Sequence, residues 1–140
     1  MIEPERIMQT KMGGKGNCQS ACIAMMLGLP LADVPDFAAL YEDAADYRRE
    51  MRDWFAMRGL QILTFGAAQD TPQIPVCGYC IVGGKTPRGL PHAVIFRNGE
   101  IWHDPHPDQS GLTEIVDFDL ILPITGAFLP HRYPNEQTDV

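Results

Sequence analysis

Apolar residues along this chain change their spacing once, near Leu60. Before that point they recur at helical intervals. From Ala44 to Met57 apolar residues recur at three- and four-residue spacing (Ala44, Tyr47, Met51, then Trp54 and Phe55, and Met57), while Arg48, Arg49, Glu50, Arg52 and Asp53 take the opposite side. That is the spacing of an amphipathic helix lying on a core, with a solvated charged face. Asp43 is placed to open this helix and Gly59 to close it. Upstream, Cys18-Gln19-Ser20-Ala21-Cys22-Ile23-Ala24-Met25-Met26-Leu27 follows the glycine-rich entry Met12-Gly13-Gly14-Lys15-Gly16 and is strongly helix-forming. Gly28-Leu29-Pro30 stops it, because glycine suits a left-handed cap and proline cannot continue a helix. Asp33 or Asp36 caps a short helical piece that runs through Ala39.

Beyond Leu60 the pattern becomes that of strands, predicted over 60–65, 75–82, 92–97, 100–104 and 115–124. Asn98-Gly99 marks a two-residue hairpin turn between the third and fourth, since both residues tolerate the positive φ such a turn demands. The segment 83–89 reads as a flexible loop beside the start of the third strand, and residues 1–11 as an extended lead-in with a short edge strand at Ile7 and Met8. Helices first and strands later predict an α+β domain, N-terminal helices packed on an antiparallel sheet. A single domain is expected over 1–130, with a C-terminal tail over 131–140.

Composition narrows the partners more than the fold. The 140 residues are 45% hydrophobic and 21% charged, enough for one well-formed core and unlike a disordered chain. A net charge of −7 without a dense lysine or arginine cluster argues against nucleic acid or an anionic membrane as a partner. Met1-Ile2-Glu3-Pro4-Glu5-Arg6 does not begin an export signal, and no apolar run has the length of a membrane span. A cytoplasmic protein is therefore expected, in which the four cysteines are reduced thiols requiring explanation by packing, metal or catalysis.

Cys18 has the most distinctive setting of the four. At the first turn of a helix, free N–H groups and the positive end of the dipole favour a thiolate, so a lowered pKa and a nucleophilic sulfur are expected there. Cys22, one turn on beside Ile23 and Met26, reads as packing. A nucleophile needs a base, and imidazole suits that role near neutral pH. Of His92, His103, His106 and His131, His92 stands at the start of a strand after Gly89-Leu90-Pro91. A two-residue turn at Asn98-Gly99 pairs Arg97 with Glu100, Phe96 with Ile101, Val94 with His103 and Ala93 with Asp104. Asp104 then comes near His92 but on Ala93's face, so direct contact requires a bulge, a twist at the strand end or help from Pro105.

These residues carry a family likeness. Asn17-Cys18-Gln19-Ser20-Ala21-Cys22-Ile23-Ala24-Met25, then His92-Ala93-Val94-Ile95, then Asp104-Pro105 resembles the papain-like cysteine peptidases, and within them the double-glycine leader peptidases of bacteriocin exporters. The resemblance implies a papain-like fold, Cys18 as nucleophile, His92 as general base and acid, and Asp104 as the carboxylate that orients the imidazole. It implies an oxyanion hole made by the Cys18 backbone N–H and an upstream glutamine, for which Gln9 is the one candidate. Gln19 stands where that family commonly has glycine and is a second, weaker oxyanion candidate. The expected activity is hydrolysis of a peptide or other amide bond in a peptide or protein substrate, without a cofactor or metal. An acyltransferase using the same triad and a catalytically silent binding or assembly module remain open.

Other motifs point elsewhere more faintly. His103-Asp104-Pro105-His106-Pro107-Asp108 contains metal-ligating residue types in an extended, proline-interrupted run. Cys77-x-x-Cys80 is half of a zinc motif, placed in a strand where alternation sends the two side chains to opposite faces. Gly83-Gly84-Lys85-Thr86 lacks the leading glycine of a phosphate loop; a mobile loop gating the approach to His92 is the expectation instead.

Overall fold

Three helices and five strands make up the computed structural model, which describes residues 2–68 and 74–124. Helix α1 (Cys18–Leu27) ends where Gly28 turns left-handed at φ 66° and its N–H is satisfied by the last-turn carbonyls of Ala24 and Met25. A 3-10 turn at Leu31–Asp33 leads to α2 (Phe37–Leu40), whose N-cap Asp36 accepts from the Ala39 N–H. Asp43 caps α3 (Ala44–Ala56) by accepting from Ala45 and Asp46, the role its position predicts.

The strands β1 (Leu60–Gly66), β2 (Tyr79–Lys85), β3 (Pro91–Arg97), β4 (Glu100–His103) and β5 (Glu114–Pro123) form one sheet in the order β1-β5-β2-β3-β4. Every neighbouring pair is antiparallel. The chain is thus an α+β fold of N-terminal helices on an open antiparallel sheet. The hairpin turn is at Asn98-Gly99, with φ values of 51° and 84°, and the Asn98 side chain also accepts from the Gly78 N–H.

Helix α1 packs on β3 and β2, and α3 on β1. Cys22, Ile23, Phe55, Ile81, Ala93 and Ile95 form the core between helices and sheet. The alternate residues Cys80, Val82, Val94, Phe96 and Phe118 form a second cluster on the other face with Ile74, as a period of two requires. Each fully buried side chain such as Ile81 or Ile95 contributes roughly 1.5–3 kcal/mol through burial.

Three expectations are corrected. Strand β2 begins at Tyr79 rather than at residue 75, so Cys77 lies before it, exposed, while Cys80 is buried within it. Gly83, Gly84 and Lys85 belong to β2 and not to a loop. They pair with β3 on one side and β5 on the other, and a Cβ on Gly84 would lie 1.9 Å from the Glu114 carbonyl oxygen. The glycines therefore serve close strand approach at a bulge rather than flexibility, and the connecting loop starts at Thr86. The lead-in forms no strand at Ile7 and Met8; it is held instead by Gln9 N–H on the Pro105 carbonyl, 2.9 Å, and by the His103 ring against the Ile7 carbonyl, 3.0 Å. The tail over 131–140, with His131, lies outside the described residues.

Candidate active site

Strand β3 presents His92 at its first turn of ladder, and β4 ends one residue before Asp104. Their meeting depends on one extra residue. His103 pairs with Ile95 rather than with Val94, because Trp102 is inserted as a bulge between the Ile95–His103 and Phe96–Ile101 pairs. Shifting the ladder by one carries Asp104 from Ala93's face to that of Val94 and His92. Nε2 of His92 then lies 2.7 Å from Oδ1 of Asp104, with the two side chains 3% and 2% exposed.

The carboxylate is held from several sides. Oδ1 also accepts from the His106 N–H at 2.8 Å, and Oδ2 from the Gly111 N–H at 2.8 Å. Gln109, at φ 54°, turns the segment back on itself and donates its side-chain amide to the carbonyls of Asp104 and His106. Burial alone would push the Asp104 carboxyl up, but the bonds from His92, His106 and Gly111 outweigh it and hold the group below the usual carboxylate range. An ionised acceptor on Nε2 fixes the proton there, so Nδ1 is the nitrogen left free to act as a base.

Cys18 is the first residue of α1. Asn17, the N-cap, does not cap: its Oδ1 accepts from the backbone of Thr10 and Lys11, 2.9 Å each, and its amide donates to the Thr10 hydroxyl. The first-turn N–H groups are consequently left for the sulfur and for whatever approaches it. Burial is the largest influence on the Cys18 thiol and pushes its pKa up, against the pull of the Ala93, Gln19 and Cys18 N–H groups. The lowered pKa expected from the helix terminus is therefore not what the resting site produces, because desolvation outweighs those N–H groups. The Ala93 N–H nonetheless places the sulfur against the backbone of the residue that follows His92. Cys22 is fully buried, as a packing residue should be.

Both Cys18 and His92 line one open cleft of about 1260 Å³ between α1, α3 and the sheet. Gln9 lies against the Pro105 carbonyl rather than in the cleft wall. It is 5% exposed, its Nε2 donates to the Lys11 carbonyl at 2.9 Å, and its Oε1 has no partner among the described residues. Gln19 does line the cleft, and its side-chain oxygen accepts from the Tyr47 hydroxyl. Of the remaining histidines, His103 is a buried tether for the N-terminal segment, and the His106 ring stands edge-on to His92 with centroids 6.0 Å apart.

No protein-family model, curated protein or solved structure matches the chain. Among the described residues no three His, Cys, Asp or Glu side chains are grouped so as to hold a metal ion, and no single helix is long and apolar enough to cross a membrane. The supports missed by sequence reasoning are Asn17, Gln109 and Gly111. Asp108-Gln109-Ser110-Gly111 carried a legible turn signal, but nothing in it announced that the turn folds back onto Asp104.

Proposed function

We propose that this chain is a papain-like cysteine hydrolase that cleaves a peptide or other amide bond through Cys18, His92 and Asp104. The observation that carries the proposal is the buried 2.7 Å pair of His92 and Asp104 beside a helix-terminal cysteine in the same open cleft. In this reading Sγ of Cys18 attacks the carbonyl carbon while its proton passes to Nδ1 of His92. Asp104 keeps Nε2 protonated and stabilises the imidazolium that forms. The tetrahedral oxyanion is met by the Cys18 N–H, one of the uncapped donors of α1, and, as the family resemblance implies, by the second amide hydrogen of Gln9. The imidazolium then protonates the leaving amine, the C–N bond breaks, and a water deprotonated by His92 hydrolyses the thioester.

A raised resting thiol has a mechanistic consequence: deprotonation accompanies attack and depends on His92. It is also the observation that favours the rival reading, a catalytically silent module in which Cys18 only packs. Alkylation by iodoacetamide separates the two. Cys18 in the parent protein should react readily at neutral pH, and His92→Ala should slow that reaction on the order of a hundredfold, the usual contribution of a positioned base. A slow reaction in both proteins, rising together only at high pH, overturns the hydrolase and leaves the binding module.

A further inference from the structure

The cleft beside Cys18 has an acidic floor whose placement follows from strand register. Cys18 takes the Ala93 N–H; Ala93 pairs with Gly83, and Gly83 pairs with Asp117. Adjacent strands lie about 4.8 Å apart, so Asp117 stands about 10 Å across the sheet from the strand under the nucleophile. No side chain of β2 stands between them, because the residue there is glycine. A Cβ on Gly83 would fall 2.3 Å from Oδ1 of Asp117, which means that the carboxylate already leans over Gly83 toward β3 and Cys18.

Behind it, on the same face of β5, Asp119 is only 8% exposed, and one of its oxygens accepts from the Thr64 hydroxyl at 2.6 Å. Among the described residues neither carboxylate meets a cation. The cleft's Arg49, Arg52 and Lys85 are occupied by Asp46 and Glu50, by Asp53 and by Glu114, and Arg48 is exposed to water. Burial pushes both carboxyls above their ordinary range. A desolvated carboxylate without a counter-charge is costly, and a ligand cation would relieve that cost.

We propose that Asp117, backed by Asp119, is the specificity residue of the cleft and binds the side chain of a lysine or arginine adjoining the carbonyl that Cys18 attacks. This rests on the reading of Cys18 as a nucleophile. An extended basic side chain spans the trough over Gly83, and its charge ends at the leaning carboxylate.

Two peptidyl chloromethyl ketones, identical except for lysine or norleucine next to the reactive carbon, test it. Each alkylates Cys18: the Sγ–C bond forms, chloride leaves, and the thiol proton passes to His92. The lysine probe should label Cys18 roughly tenfold or more faster than the norleucine probe, as a charge-assisted contact implies, and Asp117→Asn should bring the ratio near one. Because the ratio is taken within one protein, a general change in Cys18 reactivity cancels. Equal rates in the parent, failure of either probe to enter, or a lysine preference that survives Asp117→Asn overturns the assignment of Asp117. Iodoacetamide reactivity that is independent of His92 removes the nucleophile reading itself, a separate result.

Discussion

The two halves of the candidate site are built on opposite terms. On the base side acceptors are saturated: Asp104 takes three donors on its carboxylate and the Gln109 amide on its carbonyl. On the nucleophile side donors are in surplus: Asn17 turns its cap away from α1, and the first-turn N–H groups of Cys18 and Gln19 are left to the Cys18 sulfur. In the proposed hydrolase the base side is complete before any substrate arrives, whereas the other keeps its hydrogen bonds for charge that develops only in reaction. Preorganised donors aimed at a future oxyanion are where much of an acyl-transfer enzyme's rate comes from.

The strongest way to break this contrast is Asp104→Asn. An amide cannot accept from all three donors, so one or more buried N–H groups is orphaned, and stability should fall by about 2–3 kcal/mol. The same change frees the imidazole orientation and should slow His92-dependent alkylation of Cys18 as severely as losing the base. The pH dependence follows from the depressed carboxyl of Asp104. A carboxylate held lower in the folded than in the unfolded chain stabilises above the unfolded value of about 3.9, and that contribution is lost as pH falls through the folded value. Thermal melts from pH 7 down to below pH 4 should therefore converge for parent and variant at the acid end. A constant gap at every pH would mean that the carboxylate's charge is not what matters.

Asn17→Ala probes the opposite half and should cost less, about 1–2 kcal/mol, because it orphans the Thr10 and Lys11 N–H groups at a partly exposed turn. Asn17→Asp keeps those bonds and places a negative charge beside the sulfur. Alkylation of Cys18 at neutral pH should slow several-fold in Asn17→Asp, since the added anion disfavours a thiolate. An unchanged rate would show that the uncapped terminus does not act on the sulfur.

How much of this was readable in advance depended on range. The caps at Asp36 and Asp43, the end of α1 at Gly28 and the turn at Asn98-Gly99 are local devices, and each stands where the spacing predicted. The nearness of His92 to Asp104 was also expected from the hairpin, with a bulge as one of three ways to bring them into contact. Which residue supplies the bulge was not, since Trp102 packs edge-on against Tyr79 from a distant strand, a contact that hairpin spacing does not reveal. The thiol of Cys18 went the other way from expectation because burial is a tertiary quantity, invisible to a helix-end argument. Gly83-Gly84 misled for a related reason: glycine signals a loop or a close approach equally well, and only the position of β5 tells them apart.

Gln9→Met should change stability least and still discriminate. The substitution removes one hydrogen bond, Nε2 to the Lys11 carbonyl, together with an oxygen that is buried without a partner. A lost bond and a removed orphan have opposite signs and similar size, so the net change should lie within about 1 kcal/mol. The backbone bond from Gln9 to Pro105 is untouched, which keeps the N-terminal segment against the Asp104 loop. Catalysis responds differently if the second amide hydrogen serves the oxyanion. Alkylation by iodoacetamide forms no tetrahedral oxyanion and should proceed at the parent rate, whereas turnover of an amide or ester substrate should drop by roughly a hundredfold, the usual effect of losing one such donor. Equal rates for both reactions in parent and variant would return Gln9 to a purely structural role and leave the backbone N–H of Cys18 as the sole oxyanion donor proposed.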